Sequence, residues 1–168
     1  MKTIVREANT LLVKAGAEYS PCERFRYRLW RIWDPDKKPC AFIGLNPSTA
    51  TEEVSDNTVT RCIRFSEAWG YGGLFMLNIF AFRATQPKDM FACAEPIGGP
   101  RNDEAILETV AQSGLVVAAW GNHGLHLQRG DAVRAMIPGL RALRITGQGC
   151  PQHPLYLPAS LKPTPWEV

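Results

Sequence analysis

The sequence predicts an α/β fold: a three-layer α/β/α arrangement around a central, mostly parallel four-stranded sheet, with a β-hairpin extension at its N-terminal side. Three observations carry that expectation. Three short apolar runs, CAFIGL, GLFMLNIFAF and LVVAAW, are bounded by turn formers, as strands buried on both faces are, and LRALRIT reads as a fourth strand. Segments with helical caps separate them, and strands alternating with helices build parallel βαβ units. The chain has 168 residues, 45% of them hydrophobic, enough for one core without a disulfide or metal staple. A single domain over residues 1–168 is therefore expected.

Taken in order, FRYRLWRIW (Phe25 to Trp33) alternates apolar residues with arginines, the period of a strand with one wet face, and puts Arg24, Arg26, Arg28 and Arg31 mostly on the exposed side. DPDKKP (Asp34 to Pro39) is dense in turn formers, so this strand and the buried strand Cys40 to Leu45 read as a hairpin. Asp56 or Thr58 caps a helix from about Val59 to Trp69, which ends at the glycines Gly70 to Gly73. The second buried strand is Gly73 to Phe82. Gln86 to Pro100 reads as a loop with a helical turn near Met90 to Ala94, and Asn102 as the cap of a helix through about Ser113. Leu115 to Trp120 is the third buried strand, closed by Gly121. A helix over Gly130 to Met136, a fourth strand over Leu140 to Thr146 and a proline-rich C-terminal loop complete the chain.

The charge balance, 19 Lys+Arg against 16 Asp+Glu, gives +3, too little for a histone-like polycation. Thirteen of the 19 are arginine, the side chain better suited to bidentate phosphate contacts. The five cysteines form no CxxC pair, which argues against a zinc, iron–sulfur or redox site and for reduced thiols. The N-terminus lacks the apolar core of a signal peptide, and no window has the roughly 18–20 apolar residues of a membrane span. A soluble, cytoplasmic protein without cofactor or membrane partner is expected; the pattern specifies no oligomeric state.

In parallel α/β sheets, ligands bind in loops at the carboxyl ends of the strands, and four polar segments fall there. Gly44-Leu45-Asn46-Pro47-Ser48 is either a strand-ending Asn-Pro turn or a close backbone approach with an amide that holds water or a polar ring edge. Asn78 lies inside an apolar strand and needs a partner, either neighbouring backbone or the edge of an amide-like base. Trp120, Gly121 and His123 follow the third strand. His123 and His126 lack a third ligand for a metal, and no metal is expected. His153, braced by Pro151 and Pro154, is held as a donor to an oxyanion would be, and Leu155 and Tyr156 beside it either pack in the core or wedge into stacked bases.

In this order GLNPS, LNIFAFRATQP, VVAAWGNHG and TGQGCPQHPLY resemble the motifs of the uracil-DNA glycosylase superfamily, between Cys40 and Leu157. A bacterial and phage family of unknown function is a closer resemblance. Its LNPSTA, WGYGG, AWG and HPLYLP patterns run through nearly the whole sequence.

The glycosylase resemblance implies a uracil-DNA glycosylase-like domain. Asn46 would position the attacking water, Asn78 would read the pyrimidine, His153 would stabilise charge on the departing base, and Leu155 would be the wedge at a flipped nucleotide. Asn46 replaces the Asp of the most active uracil enzymes, and an amide is no strong general base. Ser48, Thr49 and Ala50 follow Pro47 where a bulky aromatic normally excludes thymine, so a larger 5-substituted pyrimidine fits. Leu155-Tyr156-Leu157-Pro158 replaces the usual wedge loop. Asp56, Thr58 and Arg61 form a set of the closer family, with Arg61 and Arg83 as phosphate ligands or Asp56 and Arg61 as a helix-capping pair.

The function expected is hydrolysis of the N-glycosidic bond of a modified or deaminated pyrimidine in DNA. Alternatives are a hydrolase of a free nucleoside or nucleotide and a non-catalytic reader of a modified base; the partner in each case is a nucleic acid or nucleotide.

Overall fold

The four expected strands lie side by side within one sheet, but that sheet has eight strands rather than four. In the computed structural model, which describes residues 2–167, these are β1 (Ile4–Glu7), β2 (Lys14–Tyr19), β3 (Arg26–Ile32), β4 (Cys40–Gly44), β5 (Gly73–Asn78), β6 (Leu115–Ala118), β7 (Arg141–Ala142) and β8 (Thr164–Pro165). Their spatial order is β1-β2-β3-β5-β4-β6-β7-β8. The inner strands β5, β4, β6 and β7 are mutually parallel, whereas β1, β2, β3 and β8 join antiparallel. The sheet is therefore mixed.

The anticipated hairpin between β3 and β4 does not form. β3 pairs with β2 on one side and β5 on the other, so β5 separates it from β4. The turn residues after β3 instead join β5: Trp33 and Asp34 donate to the Gly72 carbonyl. The extension is a three-stranded meander, whose first two strands are short on large apolar residues and so lack a strong strand signal.

Alternation along β4 and β5 divides the core between two faces. Cys40, Phe42, Leu74 and Met76 pack with Val59, Cys62 and Phe65 of α1 (Asn57–Ala68). Ala41, Ile43, Phe75 and Leu77 pack against Met90 of α2 (Pro87–Ala92), Ile106 of α3 (Pro100–Gln112) and Val133 of α4 (Arg129–Met136).

The period of β3 breaks at a bulge, where Tyr19 faces Arg26 and Glu18 faces Arg28. The expected wet face therefore does not exist as a unit. Arg28 turns to buried Glu18, which also pairs with Arg101 of α3. Arg26 and Arg31 are buried on the other face, donating to the carbonyls of Ala50 and Thr51.

Asp56 caps α1, its carboxylate accepting from the Val59 amide at 2.9 Å. Asn102 is not a cap. α3 begins two residues earlier with Pro100 in its first turn, and Asn102 is fully buried inside the helix. Of Leu140 to Thr146 only two residues are strand, because the partner β8 is short and its Pro165 has no N–H to lengthen the ladder. Among the described residues no helix is long and apolar enough to cross a membrane.

Candidate functional site

The helix after β4 covers one face of the sheet and the helices after β5 and β6 cover the other, which opens a crevice at the carboxyl ends of these strands. A cavity of about 1050 Å³ occupies it, at the upper end of the roughly 300–1,000 Å³ usual for small-molecule sites. Its walls include the loop Gly44 to Ser48, Asn78 at the end of β5, Ala119 to His123 after β6, the start of α1 with Asp56 and Thr58, and the segments 146–148 and 152–156. Asn46, Asn78 and His153, distant in sequence, thus share one cavity. Gly44, Leu45, Pro47, Ser48, Trp120, Gly121, His123, Leu155 and Tyr156 line it as well.

The Asn46 amide is anchored. Its Nδ2 donates to the carbonyls of Pro47 at 3.0 Å and Ala84 at 2.9 Å, with a longer contact to Phe82. Three acceptors fix which end of the amide is nitrogen and leave Oδ1 as an acceptor. Such a group can hold a water but cannot take its proton.

Asn78 is 3% exposed, and its Nδ2 is buried without a hydrogen-bond partner. Gly44 makes room for it: a Cβ there would come within 3.0 Å of the Asn78 Oδ1. The backbone beneath Asn78 is clamped from the opposite face. Asn102 donates to the carbonyls of Asn78 and Ile79, and Arg129, ion-paired to Asp103, donates to Ile79 at 2.8 Å. These two positioning residues are not recognisable from the sequence, where Asn102 has the signature of a cap and Arg129 that of a surface residue.

At His153 the ring accepts the Leu155 amide on Nδ1 at 3.2 Å, so the neutral tautomer carries its hydrogen on Nε2. Burial holds the imidazole below its usual 6.5. Pro154 is buried, while Leu155 and Tyr156 are 37% and 79% exposed on a short 3-10 turn at the rim. Arg61 of α1 donates to the Leu157 carbonyl and lies over the Phe65 ring, which ties the His153 loop to the helix.

Arg61 is not part of the cavity wall, nor is it ion-paired with Asp56. Arg83 also lies outside the wall, donating to the Glu23 carbonyl and standing over the Tyr19 ring. Trp120 is largely core: it packs on Trp166, and a Cβ on Gly124 would come 2.1 Å from its ring. His123 is exposed at the rim and edges Phe91, which also meets His126. Among the described residues no cluster of three or more His, Cys, Asp or Glu is placed to hold a metal.

Two charged residues of the wall complete the site. Asp56 is its sole carboxylate and Arg26 its sole guanidinium among the described residues. The sequence shows Asp56 as a cap and Arg26 as an exposed strand residue; only the fold turns both inward.

These features define a mixed α/β fold with a large cavity, lined by polar and apolar groups alike, at the carboxyl ends of its parallel strands. Residues 26–155, which contain nearly all of the cavity wall, match the family described as "Protein of unknown function (DUF1643)". The chain belongs to that family. No curated protein and no solved structure matches it.

Proposed function

We propose that the chain hydrolyses the N-glycosidic bond of a modified or deaminated pyrimidine, in the manner of the uracil-DNA glycosylases that its motifs resemble. The observation that carries this reading is the meeting of Asn46, Asn78 and His153 in one cavity, with the Asn78 amide buried and unpartnered. An amide offers one donor and one acceptor side by side, the complement of the O4 and N3–H edge of uracil. Its missing hydrogen bond is supplied when the base binds.

The chemistry then divides among three residues. As the C1′–N1 bond lengthens, its electron pair moves onto the base and charge collects on O2, where the neutral His153 donates from Nε2. The Asn46 Oδ1 accepts a hydrogen bond from the water that attacks C1′. Asp56 takes that water's proton through the carboxylate oxygen not committed to the Val59 amide. The new bond is O–C1′, the broken bond is C1′–N1, and the departing base anion is protonated on release. Ser48 on the wall, in place of a bulky aromatic, leaves room for a 5-substituent.

A free nucleotide is the second reading of the substrate. It is favoured by the rim, where Leu155 is 37% exposed on a tight turn rather than projecting as a wedge. Incubation with uridine nucleotides and with single- and double-stranded oligonucleotides carrying uracil or 5-hydroxymethyluracil, followed by chromatography of the released base, tests the reading. Release lost in Asn78→Ala supports it. Binding without release from any substrate would instead make the chain a reader of the base.

A further inference from the structure

Arg26 is 2% exposed, yet it lines the cavity. Its Nη1 donates to the Ala50 carbonyl at 2.9 Å, while its Nε is buried with no acceptor. Among the described residues it takes part in no ion pair. Burial lowers its pKa to about 10, so the group still carries its charge at neutral pH. A buried guanidinium without an ion-pair partner is strongly unfavourable, since buried charges are normally paired.

The neighbouring wall is the start of α1, where Asp56, Thr58 and Val59 face the cavity. The first amides of a helix have no intrahelical acceptor and lie at the positive end of its dipole; in α1 the Val59 amide is bonded to the Asp56 carboxylate. One feature opposes an anion here: Asp56 stands on the same wall, close enough to act on Arg26 electrostatically though not in contact with it.

We propose that Arg26, the Thr58 hydroxyl and the Thr58 amide in the first turn of α1 form a phosphate subsite, so that the ligand of the cavity is a phosphorylated pyrimidine nucleotide. The inference rests on the pyrimidine reading given above and narrows it. Planar guanidinium donors beside a helix N-terminus match the tetrahedral, multiply accepting oxygens of a phosphate. The cavity's volume, well beyond that of a base alone, accommodates sugar and phosphate together. The phosphate is either the monoester of a free nucleotide or a diester of a single strand.

Calorimetric titration of the full chain at low salt with inorganic phosphate, uridine, uridine 5′-monophosphate and a short uracil-containing oligonucleotide tests this. The nucleotide should bind about tenfold or more tighter than uridine, the size of a charge-assisted hydrogen bond. That ratio should collapse in Arg26→Met and shrink in Thr58→Val, which touches neither the cap nor the Ala50 contact and serves if Arg26→Met fails to fold. Asp56→Asn, which keeps the cap, should tighten inorganic phosphate. An oligonucleotide that binds where the mononucleotide does not supports the subsite and assigns the phosphate to a diester.

Equal affinity for nucleotide and nucleoside would overturn the subsite and leave the pyrimidine reading standing. Phosphate binding without any binding of pyrimidine would keep the subsite and overturn that reading. No binding of any of the four would overturn both.

Discussion

Replacing Asn78 by leucine should make the protein more stable and unable to bind its ligand. The side chain is 3% exposed and its Nδ2 is buried without a partner. A desolvated polar group left unpaired costs about 1–3 kcal/mol, and leucine has nearly the same shape without the polar atoms. For a chain of this size each kcal/mol moves the melting temperature by about 2–4 °C, so Asn78→Leu should melt about 2–12 °C above the wild type in the empty state. Leucine has as many heavy atoms as asparagine, and Gly44, with no Cβ, leaves room for its methyl group where the Asn78 Oδ1 stands. With uridine 5′-monophosphate at a hundred times its dissociation constant the wild type should gain about 2.7 kcal/mol, and the variant should gain much less. Melting curves by circular dichroism, with and without nucleotide, read both effects. A variant melting several degrees below the wild type would refute the reasoning, because it would mean that the amide is paired in the empty protein.

Other outcomes follow from the same geometry. Asp56→Ala should lose about 1 kcal/mol of stability with the α1 cap, whereas Asp56→Asn should lose almost none; both should abolish base release, and comparison of melting curves with turnover separates cap from base. Asn102→Ala removes the donor to the Asn78 and Ile79 carbonyls, and should cost about 1–3 kcal/mol and speed amide exchange around Asn78. Burial depresses the His153 pKa, so the unfolded chain protonates first: the stability contributed by the neutral ring is complete above 6.5 and is lost as the pH falls from 6.5 toward the lower folded value. His153→Asn, whose Oδ1 can replace Nδ1 as acceptor for the Leu155 amide, should flatten that part of the melting-temperature profile.

What the sequence makes legible is decided by how local the physical cause is. The three apolar runs give β4, β5 and β6, because burial on both faces leaves a continuous hydrophobic signature whatever the rest of the chain does. Asn46 and Asn78 meet for the same reason: each sits at or just beyond the end of such a strand, and parallel strands put those ends together, whereas His153, eleven residues past β7, reaches the cavity on a loop. The failures are non-local. β1 and β2 depend on pairing with β3 rather than on their own composition. The β3–β4 hairpin failed because a later strand, β5, inserts between the two. Arg26 reads as exposed from its alternation with aromatics, and a single bulge opposite Tyr19 turns it inward. Asn102 and Arg129 carry no sequence mark of their function, since the carbonyls they hold become available only where β5 ends.

The most direct test of glycosidic chemistry in this cavity is the appearance of free pyrimidine base when wild type and Asp56→Asn are incubated with uridine 5′-monophosphate, 5-hydroxymethyluridine monophosphate and uracil-containing oligonucleotides. Base release by the wild type and its loss in the variant, with nucleotide binding retained, is the expected result. Undiminished nucleotide binding with no free base from any of these substrates would contradict it.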